Sequence, residues 1–265
     1  MAIVDVHAHL RLPGDEPMTP AHDEGVEGLL GAVRLPDVCH ATAIVIARRD
    51  DPATPARNDA VLAAAEATDG FLVPVVSVHP HDDGALAEVD RVAAAGARMV
   101  KLHPVTQGFD VADAPVAEVV ARAGERGLVV LFDGFNPFDA DQPGKLLALA
   151  ARCGGSRLLL AHLNGTRFAD LLTYEIAARY PWWPGNVWHD LSATAPLLAG
   201  GPFAAQFRWV VERLGAERVL HGSDWPLTDP AVALDAVRSL GFAPADERRI
   251  LHDNAAALLG LGCAH

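Results

Sequence analysis

The feature that most restricts how this chain folds is an alternation. Short apolar runs return at intervals of roughly 30 residues, the spacing of a (β/α) repeat, with helix-patterned stretches between them. The runs are 2–6, 41–47 (ATAIVIA), 71–78 (FLVPVVSV), 98–102 (RMVKL), 128–132 (LVVLF), 157–161 (RLLLA), 186–191 (NVWHDL) and 218–221 (RVLH). Each is strand-length and rich in branched side chains. Between them, 60–67 is Ala-rich, and 85–95 and 115–125 place apolar residues at i, i+3 and i+4 before running into Gly96 and Gly127, which serve as helix stops. Stretches 203–214 and 231–240 repeat the pattern, and 244–259 reads as an extra helix after the last unit. Strands alternating with helices imply parallel βαβ units. About eight of them make an α/β protein of the (β/α)8 TIM-barrel class, for which 265 residues is an ordinary length. No Pro/Gly/Ser-rich linker divides the chain, so 1–265 is expected to be one domain.

A net charge of −13 argues against a nucleic-acid partner. No apolar run approaches the roughly 18 residues that span a bilayer, and no secretory signal pattern opens the chain. Cys39, Cys153 and Cys263 form no CxxC pair and read as reduced thiols. The expectation is a cytoplasmic protein acting on a small molecule, with a homo-oligomer compatible with Trp182, Trp183 and Trp209 as packing residues.

In barrels of this kind the chemistry sits at the C-terminal ends of the strands, and ionisable residues gather there. His7 and His9 end the first strand, His79 the third, Lys101 and His103 the fourth, Asp133 the fifth, His162 the sixth, His189 and Asp190 the seventh, and Asp224 the eighth. Side chains at i and i+2 of a strand share a side, so His7 and His9 present two imidazoles together. With a carboxylate from a distant strand they make a metal site. Asp224 would add that oxygen and accept a proton from bound water, whose pKa a metal lowers. His162 would bond the water or the scissile carbonyl. Lys101 would hold a substrate carboxylate, or be carboxylated to supply an oxygen ligand. His103 would support the site from behind or touch substrate, and Asp190 rather than His189 would face inward. Arg48, Arg49, Arg57 and Arg167 follow strands two and six. Any of them, Arg49 and Arg167 among them, is a candidate to bind a substrate carboxylate; Trp225 would wall the pocket.

Plainer readings stand beside these. His7 and His9 also suit a core lining, Asp224 a helix N-cap, Asp133 a turn before Gly134, Lys101 an interior ion pair, and the arginines solvated charge. His22, His40, His221 and His252 read as surface or packing residues.

Five segments taken together, 5–9 (DVHAH), 100–104 (VKLHP), 160–165 (LAHLNG), 190–192 (DLS) and 222–226 (GSDWP), resemble the motifs of the amidohydrolase superfamily, specifically the amidohydrolase-2 branch of TIM-barrel metal-dependent hydrolases. The resemblance implies metal ligation by His7, His9 and Asp224, and a place beside the metal for His162. It also implies a divalent cation, zinc first. One departure stands out. The family ends strand five with a histidine ligand in a VHxG-like motif, whereas here 130–134 reads VLFDG, with Asp133 in that place. An oxygen ligand there would shift preference towards Mn²⁺ or Mg²⁺, or mark a site that works without metal, as in some lactonases of the branch. The expected activity is hydrolysis of a C–O or C–N bond (lactone, ester or amide) in a small carboxylated molecule. The alternatives are a non-oxidative decarboxylase, a metal-independent lactonase and a non-catalytic barrel.

Overall fold

The computed structural model describes residues 1–263. Eight parallel strands run in sequence order: β1 (Ile3–Asp5), β2 (Val38–Ile44), β3 (Leu72–Ser77), β4 (Met99–Leu102), β5 (Val129–Phe132), β6 (Arg157–Leu160), β7 (Val187–Asp190) and β8 (Val219–Leu220). The edges meet where Val6 N–H donates to the His221 carbonyl at 3.0 Å and Ala8 bridges Trp225 in parallel, which closes the sheet into a barrel. Closure leaves no unpaired edge, and helices cover the outer face as a parallel sheet requires.

Every strand falls within its expected apolar run except β2, which starts three residues early, at Val38. Its register is set by β1, whose Ile3, Val4 and Asp5 face Val38, His40 and Ala41; Cys39 and His40 disguise that start in the sequence. The two longest α-helices to escape the apolar pattern are Gly25–Val33, diluted by three glycines, and Gln142–Arg152, which follows segment 134–141; the short helices Pro104–Gln107, Leu172–Ala177 and Thr194–Leu198 escape it too.

Inward-facing positions form one apolar cluster that includes Val4, Val75, Met99, Leu131, Leu159 and Leu220. Ala255, Leu258 and Leu259 join it from the C-terminal helical segment 244–259 and plug the end of the barrel where the strands begin. Towards the strands' C-terminal ends the same inward rows turn ionisable: Met99 gives way to Lys101, Leu131 to Asp133, and Trp188 to Asp190. A second, larger cluster packs the outward faces against the helices around Phe132, Phe207 and Leu102.

The cysteines correct the reading of scattered reduced thiols. Cys39 and Cys263, 224 positions apart, lie with Cα atoms 5.8 Å apart and sulfurs at bonding distance, while Cys153 is free and buried. The approach is made by the C-terminal segment folding back on β2, which no local spacing announces. It also removes one ground for expecting a cytoplasmic protein. Among the described residues, no helix is long and apolar enough to cross a membrane.

Candidate active site

His7 and His9 stand just past β1, where the regular ladder has given way to single bridges from Ala8 to Trp225 and from His9 to Ile44. Their rings lie 5.3 Å apart. Both are buried, His7 completely, not at the rim of the core as strand-end placement suggests. Gly222 makes the close packing possible, since a Cβ there would stand 2.7 Å from the Cβ of His7. Asp224 sits in a turn at φ 65°, a conformation that costs most residues energy and that Asp tolerates. Its backbone N–H donates to the His7 carbonyl at 2.7 Å, which aims the carboxylate across at the two histidines.

Asp224 Oδ1 lies 3.5 Å from His7 Nε2 and 3.7 Å from His9 Nε2. Two ligands bound at about 2.1 Å in a tetrahedral site stand roughly 3.4 Å apart, so this trio accepts a cation with little movement. The tautomer also fits. His7 Nδ1 is held by Asp190 Oδ2 at 3.0 Å, which leaves Nε2 as the lone-pair nitrogen. Burial lowers the pKa of His7, and that of His9 to about 4, so both rings are neutral near pH 7. Lys101 Nζ lies 3.3 Å from His7 Nε2. Burial depresses its pKa against the pull of Asp133, Asp224 and Asp190. A bound cation would take over its place as partner to that nitrogen.

His162 stacks on His7 with ring centroids 4.9 Å apart. Burial works against its charged form, but Asp224, Asp133 and Asp190 outweigh it and push the pKa up to about 9. Its Nδ1 meets Ser192 Oγ at 3.0 Å, and its backbone N–H donates to Asp190 Oδ1. Ser192 also hydrogen-bonds Asp190 and His7 Nδ1, tying the two histidines to one carboxylate. Sequence reasoning passes over Ser192, although it closes the DLS segment that drew attention to Asp190. Burial would raise the Asp190 carboxyl, yet His7 and His162 hold it well below the usual range. His189, on the alternate side of β7, packs outward on Tyr174.

Asp133 stands apart from the other expected ligands. It lies within the mouth of the barrel, but among the described residues it does not join the His7, His9 and Asp224 cluster of potential ligand atoms. Its Oδ2 instead faces His103 Nε2 at 3.0 Å and His162 Nε2 at 3.6 Å, while Oδ1 accepts the backbone N–H of Phe135. Burial opposes its charge, but His103 and His162 hold its pKa well below the carboxylate range. Gly134 fixes the turn, because a Cβ there would strike the Ala161 carbonyl oxygen at 2.3 Å. The carboxylate thus sets two histidines in place.

The site opens into a mouth of about 750 Å³ whose rim includes Arg11, His22, Arg48, Arg57 and His103. Two arginines expected at the substrate lie elsewhere. Arg49 is exposed and pairs with Asp50, and Arg167 pairs with Asp170 beside a different cavity, because each side chain is drawn to the nearest acid outside the barrel. Trp225 packs in the apolar cluster of Leu10, Leu30 and Val33 and is not among the residues that line the mouth. Conversely, His22, read as a surface or packing residue, is buried in the mouth with Nε2 3.3 Å from the His9 carbonyl. Arg57 is committed to Asp15 through two bonds of 2.8 Å. Arg48 makes one bond, to the Thr106 carbonyl, and has no carboxylate partner among the described residues.

The amidohydrolase family model matches residues 4–261. Among solved structures, the chain is similar to a Pseudomonas putida protein provisionally assigned as a 2-pyrone-4,6-dicarboxylic acid hydrolase, with 25% identity, 98% of this chain and 97% of that one covered, and a TM-score of 0.73. It is also similar to a 5-carboxyvanillate decarboxylase from Sphingomonas paucimobilis, with 15% identity, 98% and 99% coverage and a TM-score of 0.75. A 2,6-dihydroxybenzoate decarboxylase shares 15% identity over 98% and 99% of the two chains, with a TM-score of 0.73. At these last two identities the likeness speaks for the fold alone. No curated protein matches the chain.

Proposed function

Since the chain belongs to the amidohydrolase family and is an enzyme of that superfamily, we propose that it hydrolyses a C–O or C–N bond of a small carboxylated substrate, with a cyclic ester as the leading class. The observation that carries this reading is the contrast among adjacent groups. His162 is held as an imidazolium at neutral pH, His7 and His9 are neutral, and Asp224 is ionised because the charge of His162 outweighs its burial. Titratable neighbours whose environments push them apart are the arrangement that acid–base chemistry requires.

His7 Nε2, His9 Nε2 and Asp224 Oδ1 would hold a divalent cation, which when bound polarises a carbonyl and lowers the pKa of water. With Asp133 turned to His103 and His162, this set holds one carboxylate, which favours zinc over manganese or magnesium. Asp224 takes the proton of the attacking water. His162 lines the mouth; its Nε2–H would stabilise the charge that develops on the carbonyl oxygen and then protonate the leaving group. Asp133 and Ser192 hold the His162 ring from its two sides. Lys101, fully buried, balances the carboxylates Asp133, Asp190 and Asp224 and lines the mouth beside His7. Arg48, with His103 near it, would receive the substrate carboxylate in place of Arg49 and Arg167. The substrate class named for the P. putida relative, a pyrone dicarboxylic acid, is a cyclic ester of this kind. The whole of 1–265 is taken as one catalytic unit, because the first and last strands both contribute.

The test is turnover on a panel of carboxylated lactones, esters and amides in ¹⁸O-water. Hydrolysis places the label in the product. Carbon dioxide release without label would favour a decarboxylase, which the same imidazolium serves by protonating carbon. Absence of both activities in metal-replete protein would refute the reading.

A further inference from the structure

A second cluster of metal-binding residue types lies at the barrel end that the C-terminal helical segment plugs. Cys39 on β2, His252 in the stretch Arg249–Asp253 and Cys263 place two sulfurs and a ring nitrogen within 4.8 Å of one another. The state of the histidine is informative. Its Nδ1 is held by Asp253 Oδ1 at 2.7 Å, and its Nε2 is buried with no hydrogen-bond partner. A buried ring nitrogen without a partner is destabilising. A carboxylate on Nδ1 leaves the lone pair on Nε2, the arrangement in which imidazole ligates a metal.

We propose that Cys39, Cys263 and His252 form a second, non-catalytic metal site that takes zinc or a similarly soft divalent cation, and that it is open only when the two cysteines are reduced. Two thiolates and one imidazole are a ligand set zinc prefers, and water would be the fourth ligand because all three residues retain some exposure. The two states exclude each other. In the oxidised state the sulfurs bond to one another and cannot ligate. A dithiol reductant delivers two electrons and two protons, gives two thiols, and leaves as its own disulfide. The metal then displaces both thiol protons to solvent and accepts the free His252 nitrogen. Either state fastens the C-terminal segment to β2, so the chain end stays pinned in oxidising and reducing surroundings alike.

The experiment counts zinc per chain in full-length protein, air-oxidised or reduced with dithiothreitol and desalted without oxygen. Reduced protein should hold one equivalent more than oxidised protein. With cobalt(II) in place of zinc, the reduced protein should gain a thiolate-to-cobalt charge-transfer band. Cys39→Ser and Cys263→Ser should each abolish the extra equivalent and the band. Asp253→Asn, which keeps the shape, should weaken the extra site by about 10–100-fold, and His252→Ala by more. Equal zinc in both redox states, or unchanged affinity in both His252→Ala and Asp253→Asn, would overturn the site. Free Cys39 and Cys263 in air-oxidised protein, read by alkylation and mass spectrometry, would overturn the redox gate. The proposed catalytic cation is counted separately, since it persists in oxidised protein.

Discussion

Replacing Asp133 by Asn separates the two roles that carboxylate could play. Asn keeps the size and an oxygen for the Phe135 N–H, and removes the charge 3.6 Å from His162 Nε2. His162 rises from 6.5 to about 9 against its own burial, which at ~1.36 kcal/mol per pH unit is on the order of 3 kcal/mol. Asp133 contributes both a hydrogen bond and a charge to that rise, behind Asp224 and alongside Asp190. Its loss should lower the His162 pKa, by roughly 1–2 pH units. The protonated ring is the proposed acid, so the basic limb of the activity profile should lie roughly 1–2 pH units lower in Asp133→Asn than in the parent. Stability follows the same sign. A folded pKa above the unfolded ~6.5 stabilises fully below that value, and the gain is lost as pH rises through about 9. The assays are the pH–rate profile and an NMR titration of the His162 ring, with zinc affinity measured beside them. An unmoved basic limb and ring pKa would refute the assignment. A collapse of zinc affinity with the limb unmoved would restore Asp133 as a ligand.

Asp224→Asn should fold, because Asn also tolerates the φ of this turn, and should lose activity by about 10²–10⁴-fold; unchanged turnover would reduce Asp224 to a turn residue. His9→Ala should abolish tight binding of the catalytic cation by elemental analysis of oxidised protein, while circular dichroism stays native. His7→Ala should lose the cation too and also cost about 3–5 kcal/mol in denaturant unfolding, because it strips a partner from the buried carboxylate of Asp190. Arg48→Gln should raise KM at least tenfold for a carboxylated substrate with kcat nearly unchanged, and leave an uncharged analogue unaffected.

The sequence by itself determined the barrel and the address of its chemistry. Short apolar runs separated by helical stretches admit a parallel closed sheet, and connectivity then sends all strand C-termini to one face. His7, His9, His162, Asp190 and Asp224 therefore converge although up to 217 positions separate them in the chain. What tertiary structure alone decided is how each charge is spent. Asp133 has the address of a ligand, but β4 brings His103 to 3.0 Å from it, and no one-dimensional spacing encodes which neighbour a carboxylate will face. Arg48 and Arg49 are adjacent in sequence, yet one lines the mouth and the other pairs with Asp50 outside it, because the chain turns between them. Cys39 and Cys263 meet only because the final segment folds back across the closed end of the barrel. Local pattern specifies secondary structure through side-chain periodicity. Pairing among ionisable groups depends on distances of a few ångströms, which only the packed chain sets.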